Sequence, residues 1–165
     1  MSLIRRHKLI FTEGLLTLLL AVFIGLCVGG RVREDVALPD LEAAVLAKIR
    51  GAEHMKVSGA MKLKALYDLN ANDFSDFILY IPASNMDAQE MLLIRCENEP
   101  QTESVAAAMR RRIEDQKEIF ESYGMEQMAL IRQAAVDVQG LYCFYLCDPD
   151  PGPGQSAFRS LLRER

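Results

Sequence analysis

The chain has 165 residues, half of them hydrophobic, with 19 basic and 23 acidic side chains and a formal net charge of −4. Its length suits one folded domain with a sizeable core beside a short additional segment. The acidic balance argues against nucleic acid and against anionic headgroups as partners, since both need a surplus of Lys and Arg.

At the start of the chain, residues 14–30 (GLLTLLLAVFIGLCVGG) carry no charge and follow Arg5, Arg6, His7 and Lys8. Backbone polar groups inside a bilayer are satisfied only within the segment itself, so such a run is expected as a transmembrane helix. Its 17 residues lie at the short end of what a crossing needs, and Leu9, Ile10 and Phe11 lengthen it, giving bilayer contact through residues 9–30. Glu13 then belongs at the cytoplasmic interface, where an ionisable group reaches headgroups. A cleaved secretory signal ending near Gly29 and Gly30 is the alternative reading, and a buried soluble helix a third. Arg5, Arg6 and Lys8 outnumber Arg31 and Arg33, which places the N-terminus in the cytoplasm and the rest outside. Residues 31–40 are expected as a connector and 41–165 as an extracytoplasmic domain. From Arg31 onward, 16 basic residues face 22 acidic ones, a net charge of −6.

Asp40 is expected to cap a helix over 41–50 with Leu41, Val45, Leu46 and Ile49 as its apolar stripe, stopped by Gly51. The stretch 54–72 alternates Lys56, Lys62 and Lys64 with apolar residues and reads as strand or loop more than helix. Residues 76–81 and 89–97 are strand-length apolar runs separated by a Ser84-Asn85 turn signal, which predicts a hairpin. Between 102 and 123 the period changes, Val105, Met109, Ile113, Phe120 and Tyr123 recurring every three or four residues or small multiples of them, as in an amphipathic helix. Gly124 ends it, and 125–135 reads as a shorter helix. Residues 136–139 alternate, and 141–147 (LYCFYLC) are apolar on both faces, as in a central strand that needs cover on both sides. Residues 148–154 (DPDPGPG) are expected as a rigid loop before a short helix over 155–163. The fold expected is therefore α+β: an N-terminal transmembrane or signal helix, then helices packed on a small antiparallel sheet.

Outside the apolar run there are three cysteines, Cys96, Cys143 and Cys147. They are expected as three small buried apolar side chains; the alternative is one disulfide in an oxidising compartment, for instance Cys96 with Cys143 if their strands are neighbours.

Residues 110–146 (RRRIEDQKEIFESYGMEQMALIRQAAVDVQGLYCFYL) carry Arg112, Gln116-Lys117, Phe120, Tyr123, Leu130-Ile131 and then Gly140 with Tyr142. This pattern resembles the bacterial envelope family catalogued as domain of unknown function 4358, whose members are typically lipid-anchored or signal-anchored. The resemblance implies an extracytoplasmic α+β domain and no reaction. Leu26-Cys27 departs from a lipid-attachment motif.

Catalytic signatures are thin. His54 is the one histidine beyond the apolar run, with no G-x-S-x-G elbow, P-loop or G-x-G-x-x-G in the sequence, and it reads as a surface residue. The acid pairs Asp148/Asp150 and Asp73/Asp76 lie in no recognisable calcium loop, and neither metal nor cofactor is expected. The binding candidates are Arg112 and Gln116, one helical turn apart, with Tyr123 beyond them. A guanidinium and an amide would hold a carboxylate or carbonyl of an envelope protein or glycan. Alternatively they bond to backbone carbonyls at a sheet edge and fix how the helix docks. The expected protein is a membrane-tethered binding or accessory module of the envelope. The alternatives are a cell-wall-directed hydrolase or transferase and a purely structural oligomeric module.

Overall fold

Two adjacent strands buried on both faces organise the domain, and each α-helix among the described residues covers one face or the other. The computed structural model describes residues 32–122 and 124–163; the expected membrane span, residues 9–30, lies outside them. Among the described residues, no helix is long and apolar enough to cross a membrane. Residues 32–163 form one compact unit. It contains strands β1 (Met55–Ser58), β2 (Asp76–Pro82), β3 (Glu90–Arg95), β4 (Ala135–Gln139) and β5 (Tyr142–Cys147), and helices α1 (Leu38–Leu46), α2 (Ala60–Tyr67), α3 (Glu99–Phe120), α4 (Met125–Gln133) and α5 (Pro151–Leu162).

The sheet is antiparallel throughout, in the order β1-β2-β3-β5-β4. The expected β2–β3 hairpin forms, with Asp76 opposite Arg95 and Tyr80 opposite Met91. Strand alternation sends Leu92 and Ile94 of β3, and Cys143, Tyr145 and Cys147 of β5, to one face. There they meet Leu63 and Tyr67 of α2, Val105, Met109 and Phe120 of α3, and Ile131 of α4. Met91 and Leu93 with Tyr142, Phe144 and Leu146 point the other way, onto Leu41 and Val45 of α1 and Phe158 and Leu162 of α5. Phe144 and Phe158 stack with ring centres 4.9 Å apart. The result is helix, sheet, helix in three layers, which supplies the double cover that an all-apolar strand requires.

Local expectations fail in four places, each for a physical reason. Helix α1 begins at Leu38, because Pro39 fits a first turn whose N–H groups have no helical partner; Ala37 takes the N-cap position and Asp40 sits inside the first turn. It stops at Leu46, and Gly51 turns the chain in a left-handed conformation (φ 72°). The stretch read as strand or loop contains the α2 helix as well as β1. Leu63 and Tyr67 are i,i+4 and both buried, so the lysines that suggested alternation flank a helical stripe. Helix α3 begins at Glu99, capped by Asn98, whose side-chain oxygen accepts from Gln101 N at 3.2 Å.

The expected loop at 148–154 is the fourth. Pro151 opens α5 directly, again as a first-turn proline. Gly154 serves packing there: a Cβ at this position would lie 2.8 Å from Leu146 and 3.0 Å from Ile49. The residues expected as a connector also fold in, since Val36 and Leu38 are buried and Val32 bridges to Arg163.

Candidate functional site

Glu90 opens β3 opposite Cys147 of β5 and is fully buried, with its carboxylate on the face that α2 and α3 cover. A buried carboxylate is strongly penalised unless it is paired and hydrogen-bonded. Arg112 of α3 meets it with two donors, Nε to Oε1 at 3.1 Å and Nη2 to Oε2 at 2.7 Å. Tyr67 of α2 donates its hydroxyl to Oε1. Gln116, one turn beyond Arg112, donates from Nε2 to Oε2 at 3.4 Å and to Ala88 O at 3.3 Å, while its Oε1 accepts from the Tyr145 hydroxyl at 2.6 Å. Two helices, α2 and α3, thus converge on one acid, with Tyr145 of β5 joined to it through Gln116, and among the described residues no buried side-chain polar atom lacks a partner.

Electrostatics follow from this closure. Burial works against the Arg112 charge, but the hydrogen bonds and charge of Glu90 outweigh it and hold the guanidinium pKa above its ordinary value. Burial, then the Glu90 charge, raises Tyr67 well above 10, and burial with the neighbouring Cys147 and Glu90 does the same to Tyr145. Burial and Glu90 together push the Cys147 thiol up to about 12. The tyrosines therefore stay protonated donors and the thiol stays inert at neutral pH.

Arg112 and Gln116 take their partners from within the domain. The guanidinium does hold a carboxylate in bidentate fashion, but the carboxylate is the chain's own Glu90; Gln116 does bond a backbone carbonyl, and α3 is thereby fixed to the sheet. Tyr123 lies outside the described residues. Glu90, Tyr67 and Tyr145 escaped the sequence reading. The available signal was Glu90 itself, an acid at the head of the apolar run MLLI, for which an inward position demands a cation from elsewhere.

The remaining sequence candidates lie apart from this centre. Asp148 is buried and fastens the start of α5, its Oδ1 accepting from Asp150 N at 2.9 Å and its Oδ2 from Gln89 Nε2 at 2.7 Å. Asp73 and Asp76 bond locally to Asn70 and to Phe77 N. The His54 side chain is exposed beside Glu53. Among the described residues, no three His, Cys, Asp or Glu side chains are grouped to hold a metal. Cys96 and Cys143 are neighbours, Sγ to Sγ 3.9 Å, and carry no disulfide.

Two grooves open at the two ends of α3. One, about 580 Å³, is lined by Glu121, Ser122, Gly124, Met125, Met128 and Arg132 at the α3–α4 junction. The other, about 440 Å³, lies between the first turn of α3 and Gly140 and is lined by Glu99, Pro100, Thr102 and Glu103. No curated protein and no solved structure matches the chain. With Arg112, Gln116 and the Gly140-x-Tyr142 turn now placed in one domain, the family resemblance is confirmed: residues 50–148 match the family described as Domain of unknown function (DUF4358), and the chain belongs to it.

Proposed function

We propose that this chain is a membrane-tethered module of the bacterial cell envelope whose extracytoplasmic domain works by binding a protein partner. The observation that carries the location is the uncharged run 14–30 behind Arg5, Arg6 and Lys8. A tether confines the domain near the surface and raises its effective concentration toward other membrane proteins, so weak contacts suffice. Binding through the surface is favoured because Arg112 and Gln116 are engaged internally by Glu90. The groove at the α3–α4 junction presents apolar surface to solvent, with Met125 89% exposed and Ile119 nearby in the chain 52% exposed.

The test is a topology and crosslinking experiment on the full chain in its native membranes. The protein should need detergent for extraction, and a C-terminal reporter that is active only outside the cytoplasm should be active. A photocrosslinker at position 125 should attach to a defined envelope protein, and the Arg132→Glu change should diminish that product. A reporter active only in the cytosol, or a chain that stays soluble without detergent, would refute the proposal.

A further inference from the structure

We infer that Cys96 and Cys143 form an oxidisable dithiol, converted to an intrachain cystine by a small neutral or cationic disulfide that approaches through the groove at the start of α3. Three observations carry it. The sulfurs are in contact, 3.9 Å apart, Cys143 within β5 and Cys96 just past the end of the neighbouring β3. A cystine needs about 2.05 Å between sulfurs, so closure asks for a shift of a little under 2 Å. Cys96 is the first residue beyond β3, where the chain leaves the sheet for α3.

The second observation is access. Both thiols are buried, but the Cys143 Sγ lies 3.7 Å from the carbonyl oxygen of Thr102, and Thr102 lines the 440 Å³ groove. Opening the first turn of α3 exposes the pair from that groove. The third is charge: Glu99 and Glu103 line the same groove, so an anionic oxidant is repelled and a cationic one drawn in. Asymmetry within the pair assigns the roles. The Cys143 S–H donates to the Thr102 carbonyl, and the contact between the two sulfurs lowers the Cys96 pKa, whereas that contact and burial raise Cys143.

The chemistry balances as two exchanges. Cys96 thiolate attacks one sulfur of the reagent disulfide, forming a mixed disulfide and expelling one reagent thiolate. Cys143 then gives up its proton and attacks the Cys96 sulfur, expelling the second thiolate. Two protein thiols are oxidised and one reagent disulfide is reduced to two thiols. Cys147, buried and outside this pair, takes no part.

The test uses the purified full chain, which has four cysteines, treated with cystamine or with oxidised glutathione. Intact mass should fall by about two units, two of the four thiols should resist alkylation after unfolding, and peptide mapping should join Cys96 to Cys143. Relative to the same reagents on the unfolded chain, cystamine should react several-fold faster than glutathione disulfide, and high salt or Glu99→Gln with Glu103→Gln should erase the difference. Cys143→Ser should stop at a one-to-one adduct on Cys96, and Cys147→Ser should leave closure unchanged. Four free thiols in the folded wild-type chain, stable adducts without closure, or a bridge to another cysteine would overturn the inference. These arms do not depend on where the protein resides. Quenching cells with acid and alkylating reports location separately: bridged chains support an oxidising compartment, and free thiols beside successful closure in vitro count against the envelope proposal alone.

Discussion

Replacing Arg112 by Met removes the guanidinium while keeping a comparable stem, so packing along α3 changes little. The Glu90 carboxylate, with none of its surface exposed, is then left with Tyr67 and Gln116 as its donors. Deleting one partner of a buried ion pair costs about 3–5 kcal/mol, because the survivor keeps its desolvation penalty. Val32 to Arg163 is 132 residues (163 − 32 + 1), and unfolding at about 2.1 cal/mol/K per residue gives an entropy near 0.28 kcal/mol/K. The expected fall in Tm is therefore roughly 11–18 °C. Near-ultraviolet circular dichroism of the full chain in mild detergent reads it directly, since Tyr67 and Tyr145 form an edge-on pair with centres 6.1 Å apart. Combining Arg112→Met with Glu90→Gln removes the stranded charge, and the double variant should recover about 1–3 kcal/mol relative to the sum of the singles. A loss below about 1 kcal/mol for Arg112→Met, or strict additivity in the double variant, would refute the view that this pair docks α3 to the sheet.

Gly154→Ala, which improves helix propensity, should nonetheless destabilise by about 1–3 kcal/mol because its Cβ meets Leu146 at 2.8 Å; a melt showing a gain would contradict the packing described. Phe158→Ala empties the stack on Phe144 and should cost about 3–5 kcal/mol by thermal melting, loosening α5 from the sheet. Alkali should weaken the fold. Burial, then the hydrogen bond to and charge of Glu42, push Tyr80 up to about 12, and Tyr67 and Tyr145 are raised well above 10. A folded-state pKa above the unfolded value of about 10 favours the native state fully below pH 10 and loses that contribution as pH climbs through the folded value. Tm should accordingly decline from about pH 10 upward, and phenolate absorbance from the buried Tyr67 and Tyr145 should appear only with unfolding. Normal tyrosine titration in a chain that remains folded would speak against their burial.

Much of the layout was legible because it is periodic. The three- and four-residue recurrence from Val105 through Phe120 marked α3, and the apolar runs around Ile78 and Leu92 marked a hairpin. LYCFYLC announced a strand covered on both faces, and the sheet order places β5 between β3 and β4. Helix α2 was missed because two buried residues, Leu63 and Tyr67, are too few for a period to stand out among lysines. The start of α5 was missed because Pro and Gly read as turn residues unless a first helical turn and a close neighbour are known to be there. Of the candidate site, the sequence by itself supplied Arg112 and Gln116 on one helical face, since i,i+4 spacing is a property of the helix alone. Only the tertiary structure decided what that face meets. Glu90 is 22 residues from Arg112, and Tyr67 is 23 from Glu90, distances over which no local pattern links one side chain to another. Burial made the choice: an acid carried inward by an otherwise apolar strand must find its cation and its hydroxyl from whichever elements the sheet brings over it.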